Sequence, residues 1–149
     1  MSRTSSRDII LDELSRAGRK MRALFDARVK ERGLTLSRGR ALLVLGKMPN
    51  LTQRELADEL DIETPTLVRL LDGMEKQGFI ERRNVEGDRR AKHIAMTPYG
   101  EQVAEEITSL AKELRRDLLR GVSEADMATA VRVIRAIAEG AMTSCRESV

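Results

Sequence analysis

Hydrophobic positions recur along most of the chain at helical rather than strand spacing. From Asp8 to about Arg32, residues Ile10, Leu14, Ala17, Met21, Leu24 and Val29 fall three to five positions apart, which predicts an amphipathic helix ended by Gly33. Arg16, Arg19, Lys20, Arg22 and Arg28 lie between them. A second helix is predicted over Arg38 to Met48, capped by Ser37 and stopped by Pro49 and Asn50, with its ALLVL run buried. Thr52 with Glu55 three positions later reads as a capping box opening a short helix, whose inner face is Leu56, Ala57 and Leu60.

The next helix is predicted to start near Thr64, where Pro65 suits a first turn that has no use for its missing N–H. Leu67, Leu70, Leu71 and Met74 form its inward stripe, Thr66, Arg69, Asp72 and Gly73 lie on other faces, and Gly78 closes it. The period then changes. Phe79 to Arg83 and Ala91 to Thr97 read as two strands joined by a loop containing Glu86, Gly87 and Asp88. After Pro98 a long helix is predicted to about Arg120, with Val103, Ile107, Leu110, Leu114 and Leu118 on one seam. Gly121 breaks it, and Ser123 with Asp126 opens a last helix whose apolar face is Met127, Val131, Ile134, Ile137 and Ala141. The fold class is therefore mainly α with a small β-hairpin wing: a winged helix-turn-helix plus N- and C-terminal helices.

Composition agrees with a helical, aliphatic core, because aromatic residues are 2% of the 149 and Trp is absent. No apolar run approaches the roughly 20 residues needed to span a bilayer, and the start MSRTSSRD lacks a signal peptide's apolar stretch, so the expected localisation is cytoplasmic. Net charge is +3, but it is focused: between Arg82 and Lys92 five basic residues face only Glu86 and Asp88, so this stretch carries as much charge as the whole chain. An enzyme needs converging nucleophiles, acids or metal ligands, and this chain has one His and one Cys. No enzyme activity, cofactor or metal is expected, and His93 reads as a structural residue of a wing strand. Cys145 reads as incidental, with Arg146 beside it keeping a redox role open.

A helix of this kind can enter the major groove of DNA with its leading residues against base edges. Thr64, Pro65 and Thr66 occupy that end; their hydroxyl and methyl groups suit base edges, and Arg69, one turn on, can reach a guanine or a phosphate. The hairpin tip, with Arg89, Arg90 and Lys92, is suited to the flanking minor groove. The terminal helices carry narrow apolar stripes that a second subunit could bury, a monomeric helical cap being the alternative.

The segments LTQRELADELDIETPTLVRLLDGMEKQGFIERR and GDRRAKHIAMT resemble the MarR family of winged-helix regulators, and within it the SlyA-like branch. IETPTLVR together with DRRAK is the most specific part, and Asp88 with Arg90 matches the family's D-x-R wing signature. The resemblance spans nearly the whole chain. It implies a homodimer on an inverted-repeat operator in double-stranded DNA, with recognition helices in successive major grooves and wings in the minor groove. Residues 1–33 and 98–149 would form the dimerisation region and 34–97 the DNA-binding domain. By position Pro65, Thr66 and Arg69 would touch bases, Arg89 and Arg90 would serve the wing, and Asp88 would orient the D-x-R arginine. The resemblance further implies release by a small aromatic acid or other anion, in a pocket lined by Arg16, Arg19 and Arg22 with Thr35 and Ser37. With only Phe25, Phe79 and Tyr99, the aromatic wall for such a ligand is thin. An architectural, counter-silencing role without small-molecule control is the alternative, and a winged helix used only for protein contacts is disfavoured by the basic wing.

Overall fold

The computed structural model describes residues 4–148; the side chains at 85 and 88–91 lie outside the described residues. The elements run α1 (Ser6–Lys30), α2 (Leu36–Lys47), α3 (Gln53–Leu60), α4 (Thr64–Lys76), β1 (Ile80–Val85), β2 (Asp88–Met96), α5 (Pro98–Leu118) and α6 (Glu124–Glu147). The predicted class, helices plus one antiparallel hairpin, is what forms. Among the described residues no helix is long and apolar enough to cross a membrane.

Helix starts are set by side-chain oxygens that take the free N–H groups of the first turn. Ser5 accepts from the Arg7 N–H at 3.1 Å while the Asp8 carboxylate accepts from the Ser5 N–H at 3.0 Å, so α1 begins at Ser6, ahead of the predicted Asp8. Thr35, not Ser37, caps α2: its hydroxyl accepts from the Arg38 N–H at 3.3 Å, and Ser37 is already within the helix. Both residue types cap well, and the choice falls on the one that keeps extended backbone, at φ −80° and ψ 158°. Thr52 caps α3 as predicted, but its exchange with Glu55 runs through one hydroxyl, which accepts from the Glu55 N–H at 3.2 Å and donates to the Glu55 carboxylate at 2.9 Å.

The chain divides into two units, Met1–Leu114 and Arg115–Val149. In the first, the inward stripes of α2, α3 and α4 meet: Leu42, Leu45, Leu56, Leu67, Leu71 and Met74 are fully buried. Each aliphatic side chain so placed contributes about 1.5–3 kcal/mol. Ile80 and Ile94 seal the hairpin onto this core, and Ile107 and Leu110 bring α5 to it.

β1 and β2 pair in register from Ile80 with Met96 to Arg83 with His93, with a bulge between Asn84 and Val85. The strands run further toward the tip than Phe79–Arg83 and Ala91–Thr97, leaving only Glu86 and Gly87 between them, with Gly87 at φ 83°. Of the extra positions Asn84, Asp88, Arg89 and Arg90 are polar and only Val85 is apolar, so alternation did not reveal them. A third edge, absent from the sequence reading, forms where the Ile94 N–H donates to the Leu51 carbonyl at 2.8 Å and Thr52 bridges His93.

The start of α5 is locked to the end of α4. The Thr97 hydroxyl donates to the Gly78 and Phe79 carbonyls and accepts from the Gly100 N–H. Gly100 is required here, because an added Cβ would collide with the Phe79 carbonyl oxygen.

In the second unit, Gly121 at φ 88° turns the chain and the Ser123 hydroxyl accepts from the Asp126 N–H at 3.1 Å to open α6. No residue of α6 is buried. Val131, Ile134 and Met142 are exposed there, as are Leu118, Leu119 and Val122 before it.

Candidate nucleic-acid interface

Three residues join α3 to α4. Asp61 takes φ 52°, a left-handed value that Asp tolerates, and the Ile62 N–H donates to the Ala57 carbonyl at 3.1 Å, which turns the chain sharply. α4 therefore leaves α3 as the second helix of a helix-turn-helix. Its inner face, Leu67, Leu71 and Met74, is fully buried, and this fixes its rotation about its own axis. Thr64, Pro65, Thr66 and Arg69 are all exposed on the side left over. The four predicted helix residues are thus exposed within the first two turns of α4.

On the hairpin, Lys92 is exposed. The backbone places Asp88, Arg89 and Arg90 at the start of β2, beside the Glu86–Gly87 turn. Their side chains, and with them the expected orientation of Arg90 by Asp88, lie outside the described residues.

Arg82 and Arg83 are engaged within the protein, which alters the reading of the basic stretch. Arg82 Nη2 lies 2.6 Å from Asp72 Oδ1 and 2.6 Å from Glu75 Oε2, and Nε lies 3.0 Å from the same Glu75 oxygen. The side chain is only 20% exposed. The hydrogen bond to Glu75, then that to Asp72, holds the guanidinium above its ordinary pKa. Arg82 therefore ties β1 to α4 in place of reaching outward. Arg83 pairs with Glu81 at 3.2 Å. The signal in the sequence was the acid spacing: Asp72 and Glu75, three apart, share one helix face.

A second tie lies at the same, C-terminal end of α4. Arg38 of α2 donates to Gln77 Oε1 at 2.7 Å, and a Cβ added at Gly73 would meet the Arg38 guanidinium at 2.6 Å. The absence of a side chain at Gly73 lets the arginine pass.

The expected effector residues distribute differently. Arg16, Arg19 and Arg22 are exposed on α1, Arg16 pairing with Glu13 at 3.3 Å. Thr35 is committed to capping α2, and Ser37 is exposed on that helix. None of the five lines either of two clefts in the first unit. One, of about 550 Å³, lies between the end of α2 and α5 and includes Leu45, Met96, Glu101 and Thr108. The other, of about 240 Å³, lies at the end of α4 and includes Arg32, Gln77, Phe79 and Tyr99. Cys145 is exposed on α6.

A helix-turn-helix whose second helix opens four polar or small residues outward, followed by a two-stranded wing, defines a winged-helix DNA-binding protein. The MarR family profile matches residues 32–91. The solved transcriptional regulator PA3341 is 38% identical to this chain, with a TM-score of 0.84 over 90% of this chain and 98% of its own. The chain belongs to the MarR family and is a transcriptional regulator of that family. The same fold is seen in S. aureus MepR bound to DNA, at 24% identity and TM-score 0.76 over 89% of this chain and 96% of that one. It is seen again in the transcriptional regulator SlyA, at 22% identity and TM-score 0.80 over 91% and 95%.

Proposed function

We propose that the chain acts as a homodimer on inverted-repeat operators, each α4 entering a major groove and each wing the adjacent minor groove. The observation that carries this is α4 itself: one face is wholly buried while Thr64, Pro65, Thr66 and Arg69 stand exposed at its leading end. Arg69 is suited to bidentate contact with guanine, and the threonine and proline methyl or methylene groups to thymine methyls. Lys92, with Arg89 and Arg90, supplies the wing's charge. The regulators MepR and FabT have been solved with DNA, which supports DNA as the partner here.

A second subunit is the natural cover for the terminal helices. Ile9, Ile10, Leu11 and Met21 of α1 are exposed, as are Leu118, Val131, Ile134 and Met142. Large apolar side chains left exposed along each of these helices are what a second subunit would cover. Residues 1–33 and 98–149 are thus read as the dimerisation region, and 34–97 as the DNA-binding domain. Membership of the SlyA-like branch is part of the same reading, carried by IETPTLVR and DRRAK. An anionic effector would act by preferring one spacing of the two recognition helices.

Genome-wide footprinting with purified protein tests the proposal. Protected sites should share an inverted repeat with half-sites one helical turn apart. Protection spread without sequence preference would instead favour the architectural role.

A further inference from the structure

We propose that Arg38, which reaches from α2 onto the recognition helix, is a binding residue for a DNA phosphate. The inference rests on the DNA-binding reading above and adds to it a contact from outside both α4 and the wing.

Gly73 lies four positions after Arg69 and three before Lys76, so the three are neighbours on one side of α4. Arg69 and Lys76 are exposed. Gly73 has no side chain, and the Arg38 guanidinium takes the space. A Cβ built there would stand 2.6 Å from Nη2, 3.4 Å from Cζ and 3.7 Å from Nε. The helix thus carries a cation at a position whose own residue cannot supply one.

Two arginines from neighbouring elements flank α4, and their partners set them apart. Arg82 faces Asp72 and Glu75, the two acids of this helix, so its charge is satisfied within the protein. Arg38 is held by a neutral group, Nη1 donating to Gln77 Oε1 at 2.7 Å. α2 contains no acid, and among the described residues no carboxylate pairs with Arg38. Gln77 therefore orients the guanidinium without neutralising it. The Nε and Nη2 donors remain for an outside acceptor, and the side chain is partly exposed.

Position decides which acceptor. The leading residues of a recognition helix meet base edges, whereas Gly73 lies in the third turn, past Arg69, where the helix passes the sugar-phosphate backbone. A phosphodiester offers two oxygens that match the planar fork of a guanidinium. Contacts of this kind fix register and carry no sequence information themselves. Arg38 would then set how Thr64, Pro65, Thr66 and Arg69 approach the bases.

The test is affinity of the full-length protein for a footprinted operator over a series of salt concentrations. Arg38→Gln should weaken cognate and altered sites by the same factor and leave base preference over a randomised half-site unchanged. It should reduce the salt slope by roughly one unit per contact, about two per dimer. Arg38→Met, which keeps the aliphatic stem over Gly73, should match it, and Arg38→Lys should retain most of the slope. In a methylphosphonate scan, one linkage in each half-site should weaken the wild-type protein when neutralised and have no further effect on Arg38→Gln. A wild-type slope in Arg38→Gln and Arg38→Met overturns the assignment. So does a loss of affinity that follows a loss of thermal stability with no linkage singled out, which would leave Arg38 as a brace between α2 and α4. If the wild-type protein protects no DNA, the DNA-binding reading itself fails; if it protects operators and only the Arg38 results disagree, this inference alone fails.

Discussion

Arg82 donates through both Nε and Nη2 to a single oxygen of Glu75, at 3.0 and 2.6 Å, and so fastens the first wing strand to the last turn of the recognition helix. Asp72 accepts from the same Nη2, making a three-membered network in which one cation faces two carboxylates. Isolated surface ion pairs are worth about 0–1 kcal/mol, and networks with shared geometry somewhat more. The network's importance lies in what it joins, since α4 and the wing must meet DNA together.

Arg82→Ala should accordingly lower stability by only about 0.5–1.5 kcal/mol yet weaken DNA binding, because it loosens the wing and frees two acids beside the helix. The triple change Arg82→Met, Asp72→Asn, Glu75→Gln removes the charges together. If it binds DNA as weakly as Arg82→Ala, geometry is the cause. Full recovery would assign the effect to the freed acids alone.

Arg69 and Lys92 should fail in different ways. Arg69→Ala is expected to cost roughly 1–3 kcal/mol on the cognate site and to relax preference at one base pair per half-site. Lys92→Ala should weaken all sequences alike and reduce the salt slope by roughly one unit per contact. Binding profiles over a randomised half-site, taken at several salt concentrations, separate the two. Indistinguishable profiles would contradict this division.

Gly100→Ala should be among the most destabilising single-methyl additions to the protein. The new Cβ would collide with the Phe79 carbonyl oxygen, a backbone atom already held by Thr97. Overpacking of this kind costs about 1–3 kcal/mol and occasionally more. Thermal unfolding of the variant reads the cost directly, and an unchanged midpoint would show that α5 can move away without penalty.

Much of this was legible in sequence, for identifiable reasons. The stripe Leu67, Leu71, Met74 repeats at helical period, and with that face buried Thr64, Pro65, Thr66 and Arg69 could only point out. Gly78, Gly33 and Gly121 all take positive φ, as helix-ending glycines do. What escaped depended on residues far apart in the chain or on competition between equals. Nothing local distinguishes Thr35 from Ser37 as a cap. The engagement of Arg82 by Asp72 and Glu75 is set by how β1 returns along α4, so a count of basic residues overstated the wing's free charge. The Phe79–Tyr99 stack spans the hairpin and could not be read across the nineteen intervening residues of sequence.

Ile134→Glu and Met142→Glu, each on the exposed apolar side of α6, should disrupt self-association without unfolding the residues before 115. Light scattering should show a shift from dimer to monomer, and circular dichroism should retain the helical signal. A variant that stays dimeric would remove α6 from the interface.

The most direct measurement is affinity for a footprinted operator whose two half-sites have been spread by about five base pairs, half a helical turn. A symmetric pair of recognition helices can meet half-sites only on the same face of the duplex, so affinity should fall to that of unrelated DNA, and spreading by a further half turn should restore part of it. Unchanged affinity across the series would contradict the account, because each α4 would then be binding on its own.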